Sequence, residues 1–378
     1  MVFFLVNNTF HLYDARILAK DLISYNCGLI QVPYSLNPIY SDQFFKKTFV
    51  FERLAYTHEY FNDWPKKLIP NLLKNRCKIK NIKNSLKPEK EDILFIFTET
   101  ELLNQLLVKK FKKAGCRIYL IEDGTAAYIF YNLLSDKLSK RALLLKNIIR
   151  CIYGIKGYNP YVKSGYFYPM MSDRYFSGAC FFMPIIINRK IPVINLNKNI
   201  ISEFNQNSSA LFLTEPLYNF YIDLETYFIS IDSILSIITS KFSIVYLKSH
   251  PDEINSGVDL QIGKIAEKYP NVKVIFTKDI IENIVTALKV SYAISFFSTA
   301  LKNLIFYSIE PIYLFHLIDY LEELDASKQL KLFLTTLNYN FPKSFDEISP
   351  GYRSGLLEKI NKGINIHELV DHDLLNSE

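Results

Sequence analysis

Hydrophobic positions in this 378-residue chain gather into short runs rich in β-branched and aromatic residues, and segments of helical spacing lie between the runs. In the first half the runs are VFFLVN (2–7), GLIQVP (28–33), DILFIF (92–97) and RIYLIE (117–122). Between the last two, TETELLNQLLVKKFKKAG carries leucines at helical spacing and closes on Gly115, a good C-terminal stop. Residues 92–122 therefore read as a β-α-β unit. After a stretch at 157–200 interrupted by Gly157, Pro160, Gly165, Pro169, Gly178, Pro184 and Pro192, the alternation restarts. Its runs are ALFLTE (210–215), FSIVYLK (242–248), VKVIF (272–276), YAISFF (292–297) and EPIYLF (310–315), with helical segments at 225–240 and 259–268. Strand and helix patterns in alternation predict parallel βα units and an α/β architecture. The expected organisation is one α/β domain over 1–190, a second over 191–345 and a helical C-terminal segment over 346–378, with 157–200 crossing between the domains.

Composition adds limits to that outline. At 49% hydrophobic and 15% aromatic residues the chain is far from the disordered range and long enough for two cores. Five cysteines (Cys27, Cys77, Cys116, Cys151 and Cys180) are widely spaced, with no CxxC pair, and predict free thiols in a reducing compartment. The opening MVFFLVNNTF is too short in its apolar part for a secretion signal, and no run approaches the ~20 apolar residues of a membrane span. A cytoplasmic chain is expected, peripheral on a membrane at most. The formal charge of +6 is unevenly spread: residues 66–90 carry nine cations (Lys66, Lys67, Lys74, Arg76, Lys78, Lys80, Lys83, Lys87 and Lys90) against Glu89 alone. Lys137, Lys140, Arg141, Lys146, Arg150 and Lys156 form a second group. Such clusters attract polyanions or anionic membrane surfaces, although a solvated helix face has the same appearance. No nucleic-acid-binding motif accompanies the charge.

Ligands of open α/β sheets sit beyond the carboxyl ends of the strands, so the residues just after each run are the informative ones. Three such ends stand out: Glu122-Asp123-Gly124, Lys248-Ser249-His250-Pro251 and Ser298-Thr299. Adjacent carboxylates in a cleft cannot both ionise freely, which lifts one toward the range of a general base; a helix cap or dipole complement is the plainer use of the same pair. His250, held by the proline after it and with Lys248 two residues before, could meet a phosphate and protonate it as it leaves, although a lone histidine is more often structural. Ser298 and Thr299 at the start of a helical segment suit an anion, although an ordinary N-cap is the commoner use of such a pair.

Taken in this order, the three stretches resemble the bacterial sialyltransferases of the capsule polysialyltransferase and lipooligosaccharide sialyltransferase type, which carry an acidic-acidic-Gly motif, a His-Pro motif and a Ser-Ser motif. LIEDGTAAY, YLKSHPDE and ISFFSTAL continue the likeness beyond the short motifs, over roughly 92–130 and 205–315, and Glu282 stands sixteen residues before Ser298. Thr299 replaces the second serine but keeps the hydroxyl.

The resemblance implies a GT-B-like fold, two Rossmann-like domains facing a cleft, with the first on the acceptor side and the second binding the CMP-sugar. It implies an inverting, metal-independent transfer of sialic acid from CMP-sialic acid to a capsule or lipooligosaccharide glycan, without a cofactor. Glu122 would be the general base and Asp123 would position it or the turn. His250, in the motif it shares with Pro251, would act on the departing phosphate. Ser298 and Thr299 would hydrogen-bond that phosphate, while Lys248 and Glu282 would hold the nucleotide, Glu282 at its ribose. The acceptor would be an anionic or galactose-containing glycan, with the 66–90 cluster available to it, to the inner membrane or to a capsule-assembly partner. Other readings remain open: a different CMP-nonulosonate such as legionaminic or pseudaminic acid, a transferase of UDP- or GDP-sugars, or a non-catalytic glycan-binding protein.

Overall fold

The computed structural model describes residues 1–33, 37–54, 68–99, 101–124, 150–155, 171–184, 190–198, 208–219, 221–359 and 363–375. The chain divides into two compact units, one of Met1–Asn199 with Asn361–Glu378 and one of Ile200–Ile360.

The first unit is built on a seven-stranded parallel sheet. Its strands are β1 (Val2–Val6), β2 (Cys27–Gln31), β3 (Lys47–Val50), β4 (Ile93–Ile96), β5 (Arg117–Ile121), β6 (Gly178–Phe181) and β7 (Val193–Asn195). They lie in the order β3-β2-β1-β4-β5-β6-β7. β1 is buried throughout, with Phe4 set between Leu29 and Phe95 in register. The rings of Phe4 and Phe95 stack at 5.3 Å and those of Phe95 and Tyr119 at 5.5 Å, so part of the chain's aromatic content forms a ladder across three central strands. Helix Leu102–Ala114 covers β4 and β5 with Leu103, Leu107, Val108 and Phe111 and ends where expected, at Gly115 with φ 90°.

The second unit holds a five-stranded parallel sheet of β8 (Ser209–Leu213), β9 (Ile244–Lys248), β10 (Val272–Ile275), β11 (Tyr292–Ser295) and β12 (Glu310–Tyr313), ordered β10-β9-β8-β11-β12. Helix Leu224–Lys241 is capped by Asp223, which accepts the Thr226 N–H at 2.9 Å. It buries Tyr227, Ile231, Ile234, Leu235 and Ile238, a single stripe at 3.6-residue spacing. The α/β class and the two Rossmann-like sheets expected of a GT-B-like chain are both present.

The structure departs from the sequence reading at three strands. β3, β6 and β7 lie where no strand is expected, and the last two lie inside the stretch taken as a crossover. All are three or four residues long; β3 and β7 are the sheet's edges and β6 lies next to the β7 edge, where pairing with an established neighbour replaces the long apolar run that a central strand needs. Arg150 also departs from its basic group: it is buried, and its Nε donates to Gln105 Oε1 at 3.0 Å. Lys66, Lys67, Lys137, Lys140, Arg141, Lys146 and Lys156 lie outside the described residues. None of the five cysteines forms a disulfide. No helix among the described residues is long and apolar enough to cross a membrane.

Candidate active site

In the second unit, β8 leads outward to β9 on one side and to β11 on the other, and this reversal is where an open sheet forms its crevice. His250 follows β9, and Ser298 and Thr299 follow β11. His250 is the N-cap of helix Pro251–Ser256: its Nδ1 accepts the Asp252 N–H at 3.2 Å, with Pro251 in the first helical position. Glu253 completes a capping box by accepting the His250 N–H at 2.7 Å. The imidazole ring is thus held through Nδ1, and the side chain keeps 42% exposure. Burial pushes its pKa below the ordinary value; the Lys248 charge acts in the same direction and Asp252 opposes it.

Ser298 is the N-cap of helix Thr299–Leu304, with Oγ accepting the Ala300 N–H at 3.2 Å. The N-cap use expected for the Ser298 stretch is therefore real, and His250, for which no cap is expected from the sequence, is a helix cap as well. A cap is also compatible with an anion site, because the remaining N–H groups of the first turn point the same way.

Lys248 is buried at the end of β9, and its pKa is lowered by desolvation against the upward pull of Glu282, Asp279 and Glu253. Glu282 is buried as well and accepts from Asn303 Nδ2 at 2.8 Å, which ties it to the helix that Ser298 caps. Lys248, Glu282, Ser298 and Thr299 are in this way joined through one electrostatic and one hydrogen-bonded link, on the side of the sheet that carries His250.

Two residues at the end of β8 were not singled out by sequence. Thr214 donates to Glu253, which also accepts from Tyr227. Glu215 accepts the Phe297 N–H at 2.8 Å. The adjacent pair Thr214 and Glu215 thereby braces the His250 turn with one residue and the Ser298 turn with the other. Burial raises the Glu215 pKa to about 8, with the Glu253 charge adding to the rise and the Phe297 N–H opposing it. A threonine-glutamate pair ending a strand was the available signal, and Glu253 was visible as the fourth residue of HPDE.

In the first unit Glu122 and Asp123 follow β5, and Gly124 turns the chain with φ 65°. The two carboxylates differ in surroundings. Glu122 is fully buried, and its Oε2 accepts the Phe182 N–H at 2.9 Å beside β6. Asp123 keeps 47% side-chain exposure, and its Oδ1 lies 2.8 Å from Nε2 of His11. His11, on helix Thr9–Asp21 after β1, is a site neighbour that no motif or spacing singles out. Among the described residues, no group of three or more metal-ligating side chains gathers at either unit's site.

A family model described as alpha-2,8-polysialyltransferase matches residues 2–314. No curated protein sequence matches the chain. Among solved structures, MurG of Acinetobacter baumannii is 9% identical over 99% of both chains, with a TM-score of 0.48. The trehalose-6-phosphate synthase OtsA is 9% identical over 99% of this chain and 98% of its own, at 0.49. A UDP-GlcNAc 2-epimerase from Neisseria meningitidis, solved bound to UDP-GlcNAc, is 12% identical over 83% and 82%, at 0.45.

Proposed function

The chain belongs to the alpha-2,8-polysialyltransferase family, and from that premise we propose that it transfers sialic acid from CMP-sialic acid to the hydroxyl of an anionic or galactose-containing glycan, by one inverting displacement. The observation that carries this reading is the set of side chains around β8. His250, Lys248, Glu282, Ser298 and Thr299 all belong to the carboxyl-end side of one parallel sheet, braced by Thr214 and Glu215. That is the chemistry a ribose and a phosphate need: a carboxylate for vicinal hydroxyls, and hydroxyls, a cation and an imidazole for the phosphate.

In the reaction the acceptor oxygen bonds to the anomeric carbon as the bond from that carbon to the CMP phosphate oxygen breaks. The acceptor proton passes to the acid pair after β5, with Glu122 as the base that the family resemblance implies. The electron pair leaves with CMP, whose growing charge is met by His250, Ser298 and Thr299. On this reading no metal is required, because protein groups supply the charge stabilisation. The enzyme works in the cytoplasm, with the exposed part of the 66–90 cluster turned toward an anionic acceptor or the inner membrane.

The test is acceptor-dependent release of CMP from CMP-Neu5Ac, with lactose-type and oligosialic acceptors, for the wild type, Glu122→Ala and His250→Ala. A fall of at least about 100-fold in both variants is expected from the loss of acid and base partners. Failure of the wild type to release CMP, together with no rise in melting temperature on adding CMP, would sink the sialyltransferase reading. Stabilisation by CMP without turnover would redirect it to another nonulosonate donor.

A further inference from the structure

His11 follows β1 at the point of the first sheet where the strand order reverses, between the paired β1 and β4, and the groups around it are tied by hydrogen bonds. It is 1% exposed, and its ring stacks on Phe97 at 4.9 Å with 11° between planes. Nδ1 accepts the Asn7 N–H at 3.3 Å, and the His11 backbone N–H is held by Asn8 Oδ1 at 2.7 Å. Asn7 is itself locked by a reciprocal amide pair with Asn104, at 3.3 and 2.8 Å, and by a bond from Nδ2 to the Val32 carbonyl at 3.0 Å. The ring therefore has little freedom in position or tilt.

These partners also decide the tautomer. Nδ1 faces a donor and must present its lone pair, so the proton belongs on Nε2. Asn8 Nδ2 lies 3.2 Å from the same Nε2, but the Asp123 carboxylate at 2.8 Å is closer and ionic, and a charge-assisted bond prevails over an amide contact. Asp123 Oδ1 is occupied in this way, while Oδ2 has no partner among the described residues. The neighbouring Glu122 is buried, and its Oε2 is engaged by the Phe182 N–H.

We propose that His11 is a positioning residue of the acid pair: its Nε2–H holds the Asp123 carboxylate so that the second oxygen receives and orients the acceptor hydroxyl. Asp123 then aligns the hydroxyl whose proton the pair removes, and His11 acts on the reaction through Asp123 without touching substrate. This inference rests on the transferase reading above. It accounts for a half-exposed carboxylate at a strand end being tied to a histidine buried on another element.

The experiment uses the full chain and two substitutions of His11. His11→Phe keeps the stack on Phe97 and removes the N–H; His11→Gln restores a donor at similar reach. Loss of alignment by a fraction of an ångström predicts a fall of about 10- to 100-fold in kcat/KM for the acceptor in His11→Phe, with the KM for CMP-Neu5Ac unchanged and partial recovery in His11→Gln. Asp123→Asn should show a similar loss, and the double variant His11→Phe with Asp123→Asn should lose no more than either alone, since both remove one arrangement. Nitrogen-15 spectra of the histidine rings should show His11 as the Nε2–H tautomer, assigned by its disappearance in His11→Gln.

Wild-type turnover with unmoved acceptor kinetics in His11→Phe, additive losses in the double variant, or an Nδ1–H ring would each overturn the inference alone. A wild-type protein that neither releases CMP nor is stabilised by it overturns the transferase reading, and this inference with it.

Discussion

At the scale of single residues, the second unit shows how a catalytic candidate and a structural one can be the same side chain. His250 caps a helix through Nδ1, and the cap leaves Nε2 as the ring nitrogen available for chemistry. Glu215 makes the comparable point with a measurable consequence. Its pKa rises from the ordinary 4.5 to about 8 because its carboxyl is desolvated, so the folded chain holds a proton there that the unfolded chain releases. Below pH 4.5 both states are protonated and nothing is lost. Between 4.5 and about 8 the unfolded state binds fewer protons, and stability declines as pH rises. Glu215→Gln keeps an acceptor for the Phe297 N–H and cannot ionise, so its stability relative to wild type should increase steadily from pH 5 to pH 8. Urea unfolding at several pH values measures this, and parallel curves for the two proteins would refute the assignment.

At the scale of elements, the end of the seven-stranded sheet depends on a buried ion pair. Lys198, just after β7, places Nζ 2.8 Å from Asp14 Oδ1 on helix Thr9–Asp21, with side-chain exposures of 2% and 1%. The same ammonium lies 4.0 Å from the centroid of Phe182, whose N–H is bound by Glu122. Removing the cation leaves the Asp14 charge uncompensated in a dry setting, and Lys198→Met is expected to cost about 3–5 kcal/mol. Replacing both partners, as in Asp14→Leu with Lys198→Met, should cost much less. Denaturant midpoints decide the matter: a single-variant loss below about 1 kcal/mol would mean that Asp14 finds water or a proton instead. β6 and β7 belong to the same lesson. GACF and VIN are too short to announce themselves, and they become strands because β5 offers an edge to β6 and β6 then offers one to β7.

At the scale of the whole molecule, the charge asymmetry read from the sequence becomes a surface. Lys74, Arg76, Lys80, Lys83, Lys87 and Lys90 are exposed along and after helix Leu68–Ser85. Lys110 approaches from the neighbouring helix, its Nζ 3.4 Å from the Lys83 carbonyl. Desolvation and the charges of Lys83 and Lys87 all lower the Lys110 pKa, a sign that the cations share one region. Reversing three of them together, Lys80→Glu, Lys83→Glu and Lys87→Glu, should weaken binding of oligosialic acid or anionic vesicles by at least about 5-fold at low salt. The difference should close toward 1 M salt, where the screening length falls to about 3 Å. Equal binding by variant and wild type at low salt would assign these lysines to solvation alone.

The sequence by itself determined the central strands, the helix that ends at Gly115, and the three motif stretches at strand ends. These are local: a buried parallel strand must be a continuous apolar run, and a helix stop needs a residue tolerant of positive φ. Tertiary structure decided what depends on neighbours far along the chain. Residues after 360 return to the first unit, where Ile364 pairs beside β7 with N–H and carbonyl bonds of 2.9 Å each to Asn195 and Asn197. His11 meets Asp123 across 112 positions, and Thr214 and Glu215 brace the turns after β9 and β11. A hydrogen bond between distant residues leaves no periodic trace in composition or spacing, because its partners are brought together only when the sheet order is set.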